Sequence, residues 1–217
     1  MLRAPALRPF DHLVCDLDGT LVDSAPGILA AIRETVPEVL PGWDGAVGPD
    51  LIGPPIGEMF ARLLGPLAPD VLADLVGRFR AAYDTAGYAA SRVYEGVPET
   101  LAALREAGVA CYVLTLKPTA AARRILGLHG LLPFFADTLS PDDPADPFAT
   151  KADGARLLCR RHGLPARRTA LVGDSPDDLA AARACGLAFH AAGYGYGGIR
   201  ADRTLDRFTD LLEPAGG

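Results

Sequence analysis

The chain has 217 residues, of which 49% are hydrophobic, and a formal net charge of −6. That length suits one large domain or a core with a small insert, and the apolar fraction can fill a sizeable core. The acidic balance, without any basic block, excludes a nucleic acid polymer as a main partner; no apolar run reaches the ~18 residues of a membrane span.

Cys15, Cys111, Cys159 and Cys185 are far apart in apolar contexts, which predicts buried thiols of a reducing compartment. The N-terminus has Arg3 and Arg8 but prolines where a signal peptide has its apolar stretch. A cytoplasmic location is expected, with no membrane association. Lysine is almost absent: Lys117 and Lys151 are the two.

In chain order, Leu13-Val14-Cys15 predicts a short buried strand that stops at Asp16-Leu17-Asp18-Gly19-Thr20-Leu21. Gly19 lets the chain turn tightly and carry both carboxylates around one point. Carboxylates so close repel unless a proton or cation lies between them. A hard ion such as Mg²⁺ relieves that repulsion and leaves room for a phosphate. Asp-x-Asp alone also fits a polar turn after a core strand; the longer run is far more specific.

Residues 25–90 carry helical periodicity only. One helix starts at Pro26, runs through Ile28, Leu29, Ile32 and Val36, and is expected to break at Pro37, Pro41 and Gly42. A second is marked by Ile56, Met59, Phe60, Leu63 and Leu64, and a third by Val71, Leu72, Leu75, Val76 and Phe79 toward Tyr83. From Val93 helices alternate with strands: helix 98–107, strand 109–115, helix 118–126, a weak strand 137–140, a loop 141–150, helix 151–161, strand 169–173, helix 177–184 and a strand near 187–191. This predicts an α/β fold, a doubly wound parallel-sheet (Rossmann-like) core covered on both faces, with a small all-helical cap domain inserted after the first strand. The expected division is 1–22 and 93–217 for the core and 23–92 for the cap.

In such sheets ligands bind beyond the carboxyl ends of the strands. Asp16 and Asp18 follow the first strand, Thr115 and Lys117 a second, and Asp174, Ser175, Asp177 and Asp178 a third. Polar loops are ordinary, but these clusters fit one reaction.

Asp16-Leu17-Asp18-Gly19-Thr20-Leu21 resembles the first motif of the haloacid dehalogenase superfamily in its phosphatase form. The resemblance spans nearly the whole chain, with the motifs in order. It implies that Asp16 is the nucleophile, forming an aspartyl phosphate, and that Asp18 protonates the leaving oxygen and then activates water. It implies Mg²⁺ held by Asp16, the backbone carbonyl of Asp18, and Asp174. Thr115 resembles the second motif, with Gly19, Leu116 and Lys117 beside the phosphate, and Lys151 resembles the third. Asp174 and Asp178 match the aspartates of the fourth, with Ser175 and Asp178 supporting. Two residues depart from the usual pattern: Leu116 replaces an asparagine or serine, and Ala152 a proline.

Thr115-x-Lys117-Pro118, Ile52-Gly53-Pro54-Pro55 and Tyr194-Gly195-Tyr196-Gly197 are similar to segments of the phosphoglycolate phosphatase-like and 5′-nucleotidase-like branch, the last as a loop after the final strand. Gly53 and Pro54 are then the cap's substrate loop. Lys117 is either a rim or substrate contact or a solvated loop lysine, and Arg80 and Arg92 are candidate anion contacts. His12, His129, His162 and His190 lie outside every motif. The implied activity is Mg-dependent hydrolysis of a small phosphorylated metabolite, most like phosphoglycolate phosphatase, with nucleoside monophosphates as the alternative. A sugar phosphomutase lacks its cap histidine and lysine here, a phosphonate hydrolase its cap lysine, and a dehalogenase has no need of Asp18. A non-catalytic phosphate-binding module is the remaining contrast. The leaving group and the oligomeric state stay open.

Overall fold

In the computed structural model, which describes residues 10–212, the chain opens with β1 (His12–Cys15) and a two-residue strand, β2 (Val22–Asp23). Arg3 and Arg8 lie outside the described residues. Three helices follow: α1 (Ala25–Val39), α2 (Ile56–Leu64) and α3 (Pro69–Thr85). The chain returns through β3 (Arg92–Val93), which pairs antiparallel with β2, Val22 opposite Val93 and Asp23 opposite Arg92. It then alternates through α4 (Val97–Glu106), β4 (Ala110–Leu114), α5 (Thr119–Leu128), β5 (Phe135–Leu139), α6 (Lys151–His162), β6 (Thr169–Gly173), α7 (Pro176–Cys185), β7 (Ala188–Ala192) and β8 (Arg203–Leu205).

Six strands form one parallel sheet in the order β5-β4-β1-β6-β7-β8. Strand side chains alternate faces, and the sheet uses both. Leu13 and Cys15 of β1, Cys111 and Val113 of β4, and Ala170 and Val172 of β6 pack on one face, with α4, α5 and the three insert helices. Val14, Tyr112, Leu114 and Leu171 pack on the other, against Ala155 and Leu158 of α6 and Ala181 and Ala182 of α7. The chain runs outward from β1 through β4 to β5, then crosses back to β6 on the other side of β1. The carboxyl ends of β4, β1 and β6 thereby lie side by side.

Three expectations change. Pro37 lies inside α1 and does not end it. In the last turn its missing N–H forfeits only the bond to the Arg33 carbonyl, while the Leu40 N–H still reaches the Val36 carbonyl at 2.8 Å. The final strand is β8, so the Tyr194–Gly197 loop lies between two strands of the sheet. Cys159 and Cys185 are half-buried, not buried, and they interact: burial and then Cys185 push the Cys159 thiol up to about 12. Among the described residues, no helix is long and apolar enough to cross a membrane.

Candidate active site

Asp16, Thr115 and Asp174 are each the first residue past a strand end, of β1, β4 and β6 in turn. The sheet order therefore brings three distant stretches to one place. Beyond Asp16 the chain folds back tightly, the Leu21 and Val22 N–H groups both donating to the Leu17 carbonyl. Gly19 has φ +84°, and a Cβ there would lie 2.3 Å from an Asp174 carboxylate oxygen. Only glycine lets this turn approach Asp174.

Lys151, the first residue of α6, projects into this cluster. Its Nζ lies 2.6 Å from Asp16 Oδ1 and 2.6 Å from Asp178 Oδ1, and its side chain is 5% exposed. Asp178 is held from its other side, where Oδ2 accepts from the Ser175 N–H (3.1 Å) and hydroxyl (2.5 Å). Ser175 in turn accepts from the Asp178 N–H at 3.3 Å, so the pair forms a capping box at the start of α7. Asp174 Oδ2 accepts from the backbone N–H of Tyr196 (2.7 Å) and of Gly197 (3.1 Å).

These groups leave negative charge in excess. Asp16, Asp174 and Asp178 each offer a carboxylate oxygen within 4.8 Å of the others. Burial, then repulsion from Asp178, holds the Asp16 carboxyl well above its usual range despite Lys151. The same two causes raise Asp174 to about 6 against its two backbone donors. Burial acts to lower the Lys151 ammonium, and Asp16 and Asp178 outweigh it, holding it above its usual range. An all-oxygen, anionic donor set fits a hard divalent ion such as Mg²⁺. Asp178 is a poor ligand of the three, since Lys151 and Ser175 already engage both of its oxygens.

Lys117 is not a solvated loop residue. Its side chain is 8% exposed, and its Nζ meets Asp18 at 2.9 and 3.1 Å. It also lies 4.8 Å from the centre of the Tyr83 ring, which α3 supplies. Burial opposes the charge, but Asp18 and Tyr83 hold the ammonium above its usual range. The Thr115 hydroxyl accepts from the Lys117 N–H at 3.1 Å.

A family model described as haloacid dehalogenase-like hydrolase matches residues 10–186. The chain belongs to this family. It is 32% identical to a phosphoglycolate phosphatase of Photobacterium profundum over 91% of this chain and 92% of the relative. It is 34% identical to the tyrosine-protein kinase PtkA of Mycobacterium tuberculosis over 88% of this chain, spanning 64% of that protein's length. Among solved structures it matches a predicted phosphoglycolate phosphatase from Haemophilus somnus 129PT with a TM-score of 0.80 and 26% identity, covering 94% of this chain and 97% of the other. It is thus a haloacid dehalogenase-like hydrolase of the phosphoglycolate phosphatase-like branch, a phosphatase.

In this haloacid dehalogenase-like chain a cavity of about 540 Å³ opens beside Asp18, between the strand ends and the insert. Gly53 and Pro54 line it, as do Leu116, Lys117 and Arg80. Arg92 does not: it is exposed in β3, opposite Asp23. The four histidines stay out of the site; His162 meets Asp137 at 2.8 Å and His129 meets Ser91 at 3.0 Å.

Sequence reasoning missed the part played by the Tyr194–Gly197 loop. Besides giving Asp174 its N–H donors, Tyr196 turns its hydroxyl to the start of α1. That oxygen accepts from the Ser24 N–H (2.7 Å) and Ala25 N–H (3.1 Å) and donates to Asp23 Oδ1 (2.6 Å). The Tyr194 hydroxyl donates to the Thr20 carbonyl at 2.9 Å. A Cβ on Gly197 would meet the Asp174 carbonyl oxygen at 2.1 Å. The alternation of tyrosine with glycine was the available signal: the glycines permit close approach and the tyrosines reach away from it.

Proposed function

We propose that the chain is a Mg-dependent phosphomonoester hydrolase that works through an aspartyl phosphate on Asp16. The observation that carries this reading is a buried carboxylate, Asp16, fixed by the Lys151 ammonium at the end of β1, with a second carboxylate, Asp18, two residues on. Asp16 attacks phosphorus, the bond to the leaving oxygen breaks, and Asp18 supplies that oxygen's proton. Asp18 then takes a proton from the water that cleaves the acyl phosphate. Both Asp18 oxygens meet Lys117 before substrate arrives, so the ester oxygen has to displace that contact. Lys151 and the Thr115 hydroxyl stabilise the phosphoryl oxygens, aided by backbone N–H groups around Gly19 and Leu116. Asp16, Asp174 and the Asp18 carbonyl would hold the Mg²⁺ ion, which when bound neutralises charge on the transferring group.

Residues 23–92 act as a cap domain over a core made of 1–22 and 93–217, and closure excludes bulk water. The substrate is a small cytoplasmic phosphate ester, and the names of the relatives make phosphoglycolate the first to test. The deciding experiment is acid quenching of the enzyme during turnover of a labelled phosphomonoester with Mg²⁺. Label should be recovered on Asp16 by peptide mapping, and chelation of the metal should abolish turnover reversibly. Full activity after exhaustive chelation, or label on another residue, overturns the reading. Transfer of label from ATP to tyrosine, with no release of inorganic phosphate, would favour the activity named for PtkA.

A further inference from the structure

We propose that the cavity beside Asp18 selects phosphomonoesters whose leaving alcohol is uncharged and carries an apolar, ring-sized body, over compact acidic esters such as phosphoglycolate. The proposal rests on the phosphatase reading above and assigns its leaving group. Asp18 belongs both to the nucleophile turn and to the cavity lining, so an alcohol leaving past Asp18 projects into this space.

Size is the first argument. A volume of about 540 Å³ corresponds to roughly 18 waters at their liquid share of space. A two-carbon acid fills a small part of it and leaves the remaining water against apolar walls. Those walls are Ile28, Ile52, Ile56, Met59, Phe79 and Leu116, from both the insert and the core. Pockets of this volume and lining enclose bodies of nucleoside or aryl size, with polar groups reserved for orientation.

Charge is the second. The lining holds two cations, Arg80 and Lys117, against three carboxylates, Asp18, Asp84 and Asp142. Lys117 is already matched by Asp18. Arg80 is exposed, and its charge acts on Asp142, whose carboxylate also caps α5 through the Thr119 N–H at 2.8 Å. A carboxylate on the leaving group would lose water here and enter a lining whose carboxylates outnumber its cations, which is costly. An uncharged alcohol meets no such penalty.

The test compares kcat/KM, with Mg²⁺, for phosphoglycolate, benzyl phosphate and a nucleoside 5′-monophosphate. At least one ring-bearing ester should exceed phosphoglycolate by about tenfold or more, and the better of the two tells an aryl body from a nucleoside. Ile56, half-buried at the start of α2, lines the cavity. Ile56→Lys should move the ratio toward phosphoglycolate by about tenfold. Phosphoglycolate as the best substrate, or a ratio unmoved by Ile56→Lys, overturns the proposal. Hydrolysis of none of the esters would sink the phosphatase reading alone. Calorimetry with Mg²⁺ would then decide the cavity's preference: tighter binding of benzylphosphonate than of phosphonoacetate sustains it, and equal or weaker binding overturns it.

Discussion

On the core side of the cleft, side chains are fixed by charge. Lys151 sits 2.6 Å from two carboxylates, and Asp178 is clasped by Ser175. On the insert side, Ile28, Met59 and Phe79 make a wall whose ring contacts run from Phe60 through Phe79 to Tyr83. Among the described residues, few polar ties join the two sides: Lys117 over Tyr83, Arg124 to the Asp84 carbonyl at 2.6 Å, Ser91 to His129 at 3.0 Å, and the Tyr196 hydroxyl at the start of α1. A directional charge network holds atoms within tenths of an ångström, as phosphoryl transfer requires. An apolar wall tolerates changes of shape, as a changing leaving group requires. On the proposed function, chemistry and selectivity are thus carried by different forces on the two sides.

Breaking the core side should have the largest effects. Asp16→Asn keeps the shape but removes the proposed nucleophile, so kcat should fall by about three orders of magnitude or more while the circular dichroism spectrum is retained. Retained turnover would place the nucleophile elsewhere. Lys151→Met leaves Asp16 and Asp178 buried and facing each other. Removing one partner of a buried ion pair costs about 3–5 kcal/mol, so urea unfolding of the metal-free protein should shift by that much. A shift under about 1 kcal/mol would show that the carboxylates do not depend on Lys151.

The comparison sharpens at His190 in β7, a core residue buried without the charge partners found at the strand ends. Among the described residues, neither of its ring nitrogens has a hydrogen-bond partner, and burial lowers its pKa to about 4. That folded value lies below the unfolded value near 6.5, so between them the unfolded chain binds the extra proton. The resulting stability is complete above about pH 6.5 and is lost as the pH falls toward 4, by at most about 3 kcal/mol. His190→Leu should flatten that part of the stability–pH curve; an unchanged slope would refute the assignment.

On the insert side the effect should be smallest. Tyr196→Phe keeps the backbone donors to Asp174 and deletes the hydroxyl that ties α1 to the core. About 1–2 kcal/mol of stability should be lost, with faster hydrogen exchange at Ser24 and Ala25 and little change in Mg²⁺ affinity. Equal losses in Mg²⁺ binding would mean that the two ends of Tyr196 cannot be separated.

The sequence made the large elements legible because their burial is regular: β1, β4 and β6 are apolar runs, and the insert helices repeat at helical spacing. The strand-end carboxylates were legible because glycine and aspartate at short spacing leave few other uses. What escaped was short or distant. β2 and β3 have two residues each, and β8 has one buried side chain, Leu205, too little for periodicity to register. The pairing of Lys117 with Asp18 spans 99 residues, and no local pattern marks it. Pro37 misled because a proline's cost depends on whether the bond that it removes lies in the last turn.

The Tyr196 hydroxyl closes a contact with Ser24 over 172 residues of chain. During synthesis at about 5–20 residues per second, some ten to thirty-five seconds separate the two ends of that contact. Asp16 and Asp18 leave the ribosome early, and Lys151, Asp174 and Tyr196 come late. The nascent N-terminal half therefore carries its carboxylates in water, without the ammonium that later neutralises them. Assembly of the candidate active site is a late event in the life of each molecule, timed by the last third of the chain.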